Sequence, residues 1–137
     1  MRAGRLSWAS TDRATGSSRV GYDRDDMVAT PPLRLEWRKA SELPPNPRNW
    51  RRHPPGQLAA LQEALARVGW AGALLYNERT GRLVDGHARR ELAGADEDLP
   101  VLVGEWDDGD EAFILATLDP IAAMAEADRS RLAELLA

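Results

Sequence analysis

Arg82-Leu83-Val84-Asp85-Gly86-His87-Ala88-Arg89-Arg90-Glu91-Leu92 is the stretch on which the reading of the fold turns. Its short apolar run predicts a strand over Arg82 to Asp85, Gly86 breaks that strand, and His87 to Ala95 has the residue types of a helix. A strand-to-helix junction of this kind delivers backbone amides and the positive end of the helix dipole to one spot, and glycine lets the chain approach a ligand. Arg89 and Arg90 are placed to clamp an anion there, although adjacent helical side chains diverge by about 100°, so one faces the site and the other faces away.

Upstream, Ala73 to Tyr76 reads as a partner strand and Asn77 to Gly81 as the turn, which makes a hairpin with Arg82 to Asp85. Before it, Leu58, Leu61, Leu65 and Val68 recur at helical spacing between Pro54-Pro55 and Gly69, so a helix is predicted between those boundaries. Pro44-Pro45-Asn46-Pro47 then forbids helix and leads a rigid basic loop carrying Arg48, Asn49, Arg51, Arg52 and His53. Trp50 within the loop reads as a core plug, with a stacking surface for a base or guanidinium as the alternative. Leu33, Leu35 and Trp37 alternate with charged residues and begin the pattern as a half-buried strand.

Downstream, Pro100 to Trp106 reads as a strand and Asp107 to Asp110 as a turn whose acids suit the start of a helix over Glu111 to Leu118. Pro120 is expected to end that helix, with further helices over Ile121 to Ala127 and Ser130 to Ala137, the last capped by Asp128. The fold class expected is α+β, a small mixed sheet packed with helices over residues 33–137. Residues 1–32 lack periodicity and read as disordered, with translation from Met27 as an alternative start.

Composition narrows the chemistry. The 137 residues contain no cysteine and two histidines, which excludes disulfides, Cys-ligated zinc and a thiol nucleophile. Net charge is -4, but residues 33–95 carry eleven Lys and Arg against six acids, whereas residues 96–137 carry two Arg against twelve. Ten of those eleven are arginines, whose fork of donors suits phosphate, and the acidic third confines any phosphate site to a local patch. An arginine-rich codon bias explains the same composition equally well. No apolar run approaches the roughly 20 residues of a membrane span, so the chain is read as soluble and cytoplasmic.

Asn46-Pro47-Arg48 with His53-Pro54, then Gln57, Leu61, Leu65 and Gly69, then Gly81, Leu83 and Asp85 to Arg89, then Leu99 to Val103 and Leu118-Asp119, follow one another in an order that resembles the ParB-like N-terminal domain of the ParB/sulfiredoxin superfamily. The versions most similar are those associated with DNA methyltransferases and with phage or plasmid partition proteins. The resemblance implies a nucleoside triphosphate, CTP or ATP with Mg²⁺, bound at a phosphate turn of Gly86, His87, Arg89 and Arg90, with the family's proline-rich basic loop matching Asn46, Pro47, Arg48 and Arg52; His53 joins the phosphate-binding candidates as the imidazole of the same basic loop. It also implies a DNA-associated process, partition or DNA modification, in which DNA is reached through a partner protein or domain and a homodimer is allowed but not demanded. Gly86 stands where the sulfiredoxin branch carries its reactive cysteine, which excludes sulfinic acid reduction.

Two other function classes stay open. One is a metal-dependent nuclease or nucleotide hydrolase, with His87 and Asp85 as the catalytic candidates and Asp85 and Asp119 as the metal carboxylates. The other is a degenerate domain that keeps the fold as a protein-interaction module.

Overall fold

The structure, a computed structural model, describes residues 31–137. The disordered segment expected over residues 1–32 and the alternative start at Met27 lie outside the described residues, apart from Pro31 and Pro32, which take no regular structure.

The alternating stretch forms β1 (Arg34–Lys39), followed by one 3-10 turn, Ala40–Glu42. The proline-rich loop separates it from α1 (Pro55–Val68), which starts with Pro at its first position, where a missing N–H removes no helical bond. α1 stops at Gly69, whose φ of 71° turns the chain while its N–H caps the Leu65 carbonyl at 2.9 Å. β2 (Leu74–Asn77) and β3 (Arg82–Asp85) make the expected hairpin, with a register irregularity between Leu75 and Tyr76. α2 (His87–Leu92), β4 (Asp98–Gly104), α3 (Asp108–Ala123) and α4 (Arg129–Leu136) complete the order.

The four strands form one mixed sheet in the order β1-β4-β2-β3, with β4 antiparallel to β1 and parallel to β2. The α+β class read from the sequence is the class observed. Pairing of Leu74 with Val101, and of Tyr76 with both Val103 and Leu83, puts these residues and Leu99 on one face, where Ala40 and Leu43 close the core. Burying each large aliphatic side chain contributes about 1.5–3 kcal/mol, so this face dominates the stability of the fold. α1, clear as it is in sequence, is peripheral: none of its residues is buried, and Leu58, Leu61 and Leu65 are half-buried.

Most boundaries differ from expectation by one to three residues, and three of the differences have a clear physical reason. α2 ends at Leu92 rather than Ala95 because Ala93 turns extended and the next residues bond to the 3-10 turn that follows β1: Ser41 N donates to Ala95 O and Ala40 N to Glu97 O, each at 3.0 Å. That pairing also starts β4 at Asp98, two residues before Pro100. Pro120 does not end a helix. α3 runs through it to Ala123, and no separate helix covers Ile121 to Ala127. Proline removes one donor and crowds the Ala116 carbonyl, but so few residues follow it that the rest of α3 is undisturbed. Asp107 caps α3 through Asp110 N at 2.8 Å, and Asp128 caps α4 through Ser130 N and Arg131 N, as the sequence implied for the latter. Among the described residues, no helix is long and apolar enough to cross a membrane.

Candidate functional site

Gly86 creates the site. It links β3 directly to α2 at φ 91°, ψ 22°, a conformation that disfavours a side chain, and a Cβ there would lie 2.6 Å from Leu74 Cγ. The first turn of α2 is thereby set against the proline-rich loop. Leu83 N donates to Pro44 O at 3.0 Å, Arg90 Nε to Leu43 O at 2.9 Å, and Asn46 N to His87 Nε2 at 3.0 Å. Between loop and helix lies a cleft of about 470 Å³ lined by Arg51, Arg52 and His53 from the loop and by His87, Arg90 and Glu91 from α2, among others.

The polar groups of this cleft are incompletely satisfied. Arg51 Nε, His53 Nε2 and His87 Nδ1 are the buried side-chain nitrogens without a hydrogen-bond partner among the described residues, and all three belong to residues lining the cleft. An unpaired buried polar atom costs about 1–3 kcal/mol, so three in one place mark where a ligand gains most, and Arg51 Nε–H among them asks for an acceptor; His53 Nε2 does not share that direction, because His53 Nδ1 faces the Gln57 Oε1 acceptor at 3.3 Å. Burial, and after it the charge of Arg51, lowers the His87 pKa to about 4, with His53 and Arg90 acting the same way against Asp85. The imidazole is therefore neutral at pH 7.

A second polar centre lies behind the loop. Glu111, in the first turn of α3, has no exposed side-chain surface, and its carboxylate accepts from Asn46 Nδ2 at 2.8 Å, Asn77 Nδ2 at 2.7 Å, Arg48 at 3.2 Å and Thr80 Oγ1. Burial pushes this carboxyl up, but the bonds from Thr80, Asn77, Asn46 and Arg48 together hold it below its ordinary value. Arg48 pairs also with Asp108 at 3.1 Å.

Arg51 Nη1 meets Asp85 Oδ1 at 3.3 Å and Asp119 Oδ2 in an ion pair. The two carboxylates expected to hold a metal thus share one guanidinium. Among the described residues, no group of three or more His, Asp or Glu side chains is placed to hold a metal ion. These residues do not fit a Mg²⁺ ion held by the protein itself.

Chain comparisons bear on the fold that holds this cleft. Over 57 residues, the chain is 35% identical to the ParB-like nuclease domain-containing protein YnaK of Escherichia coli (strain K12), a match covering 42% of this chain and 64% of that protein. Its structure is similar to the C-terminally truncated chromosome-partitioning protein ParB of Caulobacter crescentus in complex with CTP-γ-S, with TM-score 0.53, 23% identity, and coverage of 69% of this chain and 54% of that one. It is also similar to the Pnob8-like ParB-N domain, with TM-score 0.50, 18% identity, and coverage of 62% and 34%. The chain folds as a ParB-like domain.

No protein-family model matches it, and it spans less than two thirds of the length of each of these relatives. Within the ParB-like domain, the residues expected at the phosphate site separate into groups. His87, Arg90, Arg52 and His53 line the cleft, and Gly86 makes the turn beneath it. The Asn46 side chain and Arg48 are engaged by Glu111. Arg89 donates to Ala73 O at 3.3 Å and lines a separate cleft of about 200 Å³ between α1 and the Trp70 to Gly72 connection. Trp50 is not a core plug. It is 58% exposed, and its indole N–H donates to Leu115 O at 2.9 Å, because the loop's prolines carry it over α3 rather than into the sheet.

Glu111 and the particular part played by Arg51 were not legible in the ParB-like pattern. Arg51 was visible as one of four basic-capable residues in the loop, but nothing local separates it from Arg48 or Arg52. Glu111 lies 65 residues from Asn46, and its one sequence signal is an acid in the first turn of a helix, which the helix dipole explains equally well.

Proposed function

We propose that this ParB-like domain binds a nucleoside triphosphate, CTP or ATP, with its phosphates in the cleft between the proline-rich loop and α2. The observation that carries this reading is that Arg51 and His87, whose Nε and Nδ1 are buried without a partner among the described residues, line one cleft together with Arg52, His53 and Arg90. An oxyanion is the ligand class that answers unpaired donors and cationic groups together. Arg89, Asn46 and Arg48 join the phosphate set only by leaving their present partners, and Mg²⁺ enters on the phosphate oxygens rather than on protein carboxylates. The complex of the Caulobacter crescentus relative with CTP-γ-S supports the choice of ligand. The reading extends to a DNA-associated role in the cytoplasm with DNA reached through a partner, and the chromosome-partitioning and nuclease names of the relatives support its DNA-associated part. The nuclease reading is the weaker one, because Asp85 and Asp119 are held by Arg51 and His87 Nε2 is taken by Asn46.

A specific observation favours an interaction role beside nucleotide binding. Leu118, Ile121 and Met124 of the α3 end and Leu132, Leu135 and Leu136 of α4 are exposed, a scale of apolar exposure that marks association, with a homodimer as the simplest form. Calorimetric titration with CTP, ATP and GTP, each with and without Mg²⁺, tests the first reading, and sedimentation with and without the bound nucleotide tests the second. Binding of one triphosphate is the expected result; no heat with any of them refutes nucleotide binding.

A further inference from the structure

We infer that Glu111 is a positioning residue for the cleft: through Asn46 it fixes the imidazole of His87 as a donor ring, with Nδ1–H presented to an oxyanion. The inference rests on the proposed anion site for its ligand, and on the geometry below for everything else.

Both ends of the Asn46 amide are fixed. Its Nδ2 donates to Glu111 Oε1 at 2.8 Å and its Oδ1 accepts from Arg48 N at 3.0 Å, so the side chain can neither flip nor swing out. Glu111 is anchored in turn by Asn77 at the end of β2, by Thr80 in the hairpin turn and by Arg48. The loop is therefore pinned to the hairpin at Asn46, and the backbone N–H of that residue is held 3.0 Å from His87 Nε2. A backbone N–H can only donate. Nε2 must accept, and a neutral imidazole that accepts at Nε2 carries its proton on Nδ1.

Nδ1 is the His87 nitrogen left buried without a partner, in company with Arg51 Nε and His53 Nε2. With its other nitrogen occupied, His87 cannot remove a proton from a ligand through Nε2. It is a fixed donor, which selects a ligand that only accepts, such as a phosphoryl oxygen, over a hydroxyl or an ammonium group.

The test uses the full chain carrying ¹⁵N-histidine, in which long-range ¹H–¹⁵N spectra resolve two rings, the His53 signals being assigned with His53→Gln. In the free protein at pH 7, His87 is expected to show a protonated Nδ1 and an unprotonated Nε2. Glu111→Gln, which replaces two acceptor oxygens by one acceptor and one donor, is expected to give mixed tautomers and to weaken inorganic triphosphate binding about tenfold, the loss of roughly one good hydrogen bond. Asn46→Ala, which keeps the backbone N–H but unties it from Glu111, is expected to do the same and serves if Glu111→Gln does not fold. An Nε2–H tautomer in the wild type, or a tautomer unchanged in both variants, overturns the inference. If the tautomer behaves as expected but triphosphate does not bind, the positioning stands and the nucleotide reading alone falls.

Discussion

Gly86 lies against Leu74 so closely that a Cβ at position 86 would sit 2.6 Å from Leu74 Cγ, and Leu74 is a fully buried residue of β2. The turn that starts α2 and the core of the sheet are thus one packing unit. Gly86→Ala combines a left-handed φ, costing about 1–2 kcal/mol, with overpacking of typically 1–3 kcal/mol. A loss of about 2–5 kcal/mol in urea unfolding is expected. Gly81→Ala has the same sign of φ, but its nearest contact is Tyr76 Oη at 3.8 Å, so a loss nearer 1 kcal/mol is expected there. Equal losses for the two variants would contradict this view of Gly86.

Stability is expected to fall with acid below neutrality. An unfolded His87 takes up its proton near pH 6.5, whereas the folded residue does so only near 4. Across that window the unfolded state binds the extra proton, and stability drops with falling pH at up to about 1.4 kcal/mol per unit. Glu111, held below its ordinary value, acts in the same direction at lower pH, because protonating it removes the charge that Arg48 and the amides stabilise. Urea midpoints between pH 7 and 4.5 measure the effect, and His87→Asn is expected to flatten the upper part of the curve. A midpoint constant across that range would be inconsistent with a buried neutral ring.

Trp50→Phe is expected to cost only about 1 kcal/mol, the worth of its bond to Leu115 O, because the ring is largely exposed. A loss of 3 kcal/mol or more, the order expected for a large core side chain, would place the indole in the interior instead.

Pro120→Ala restores a donor within α3 and is expected to raise stability by about 1 kcal/mol, less than the roughly 3 kcal/mol of a mid-helix proline because only Ile121 to Ala123 follow. Circular dichroism and urea unfolding read this directly, and a lower midpoint would count against a continuous α3.

These residues show why some features were legible in the sequence and others were not. α1 is bounded by Pro55 and Gly69 and repeats its leucines at helical spacing, signals that all lie within the helix itself. The Gly86 turn is equally local, because a glycine between a short strand and a helix has few structural uses. Pro120 was misread for the opposite reason: a local rule against proline inside a helix met a position where only one turn remained to lose. The cleft was half legible. A basic loop and a helix start could be named from the string, but which arginines line the cleft depends on Asp85 and Asp119 holding Arg51, and on Asp108 and Glu111 holding Arg48. Those partners lie 34 to 68 positions away, beyond the reach of any periodicity.

The central claim is that the basic cleft between the loop and α2 binds phosphate. It is tested most directly by titrating the full chain with CTP and ATP, in the wild type and in a double variant, Arg52→Ala with His53→Ala. With a dissociation constant on the order of 10 μM, about 7 kcal/mol, in the wild type, the double variant is expected to bind at least about tenfold more weakly at unchanged folding. Undiminished affinity in the double variant, or no binding by the folded wild type, would contradict it.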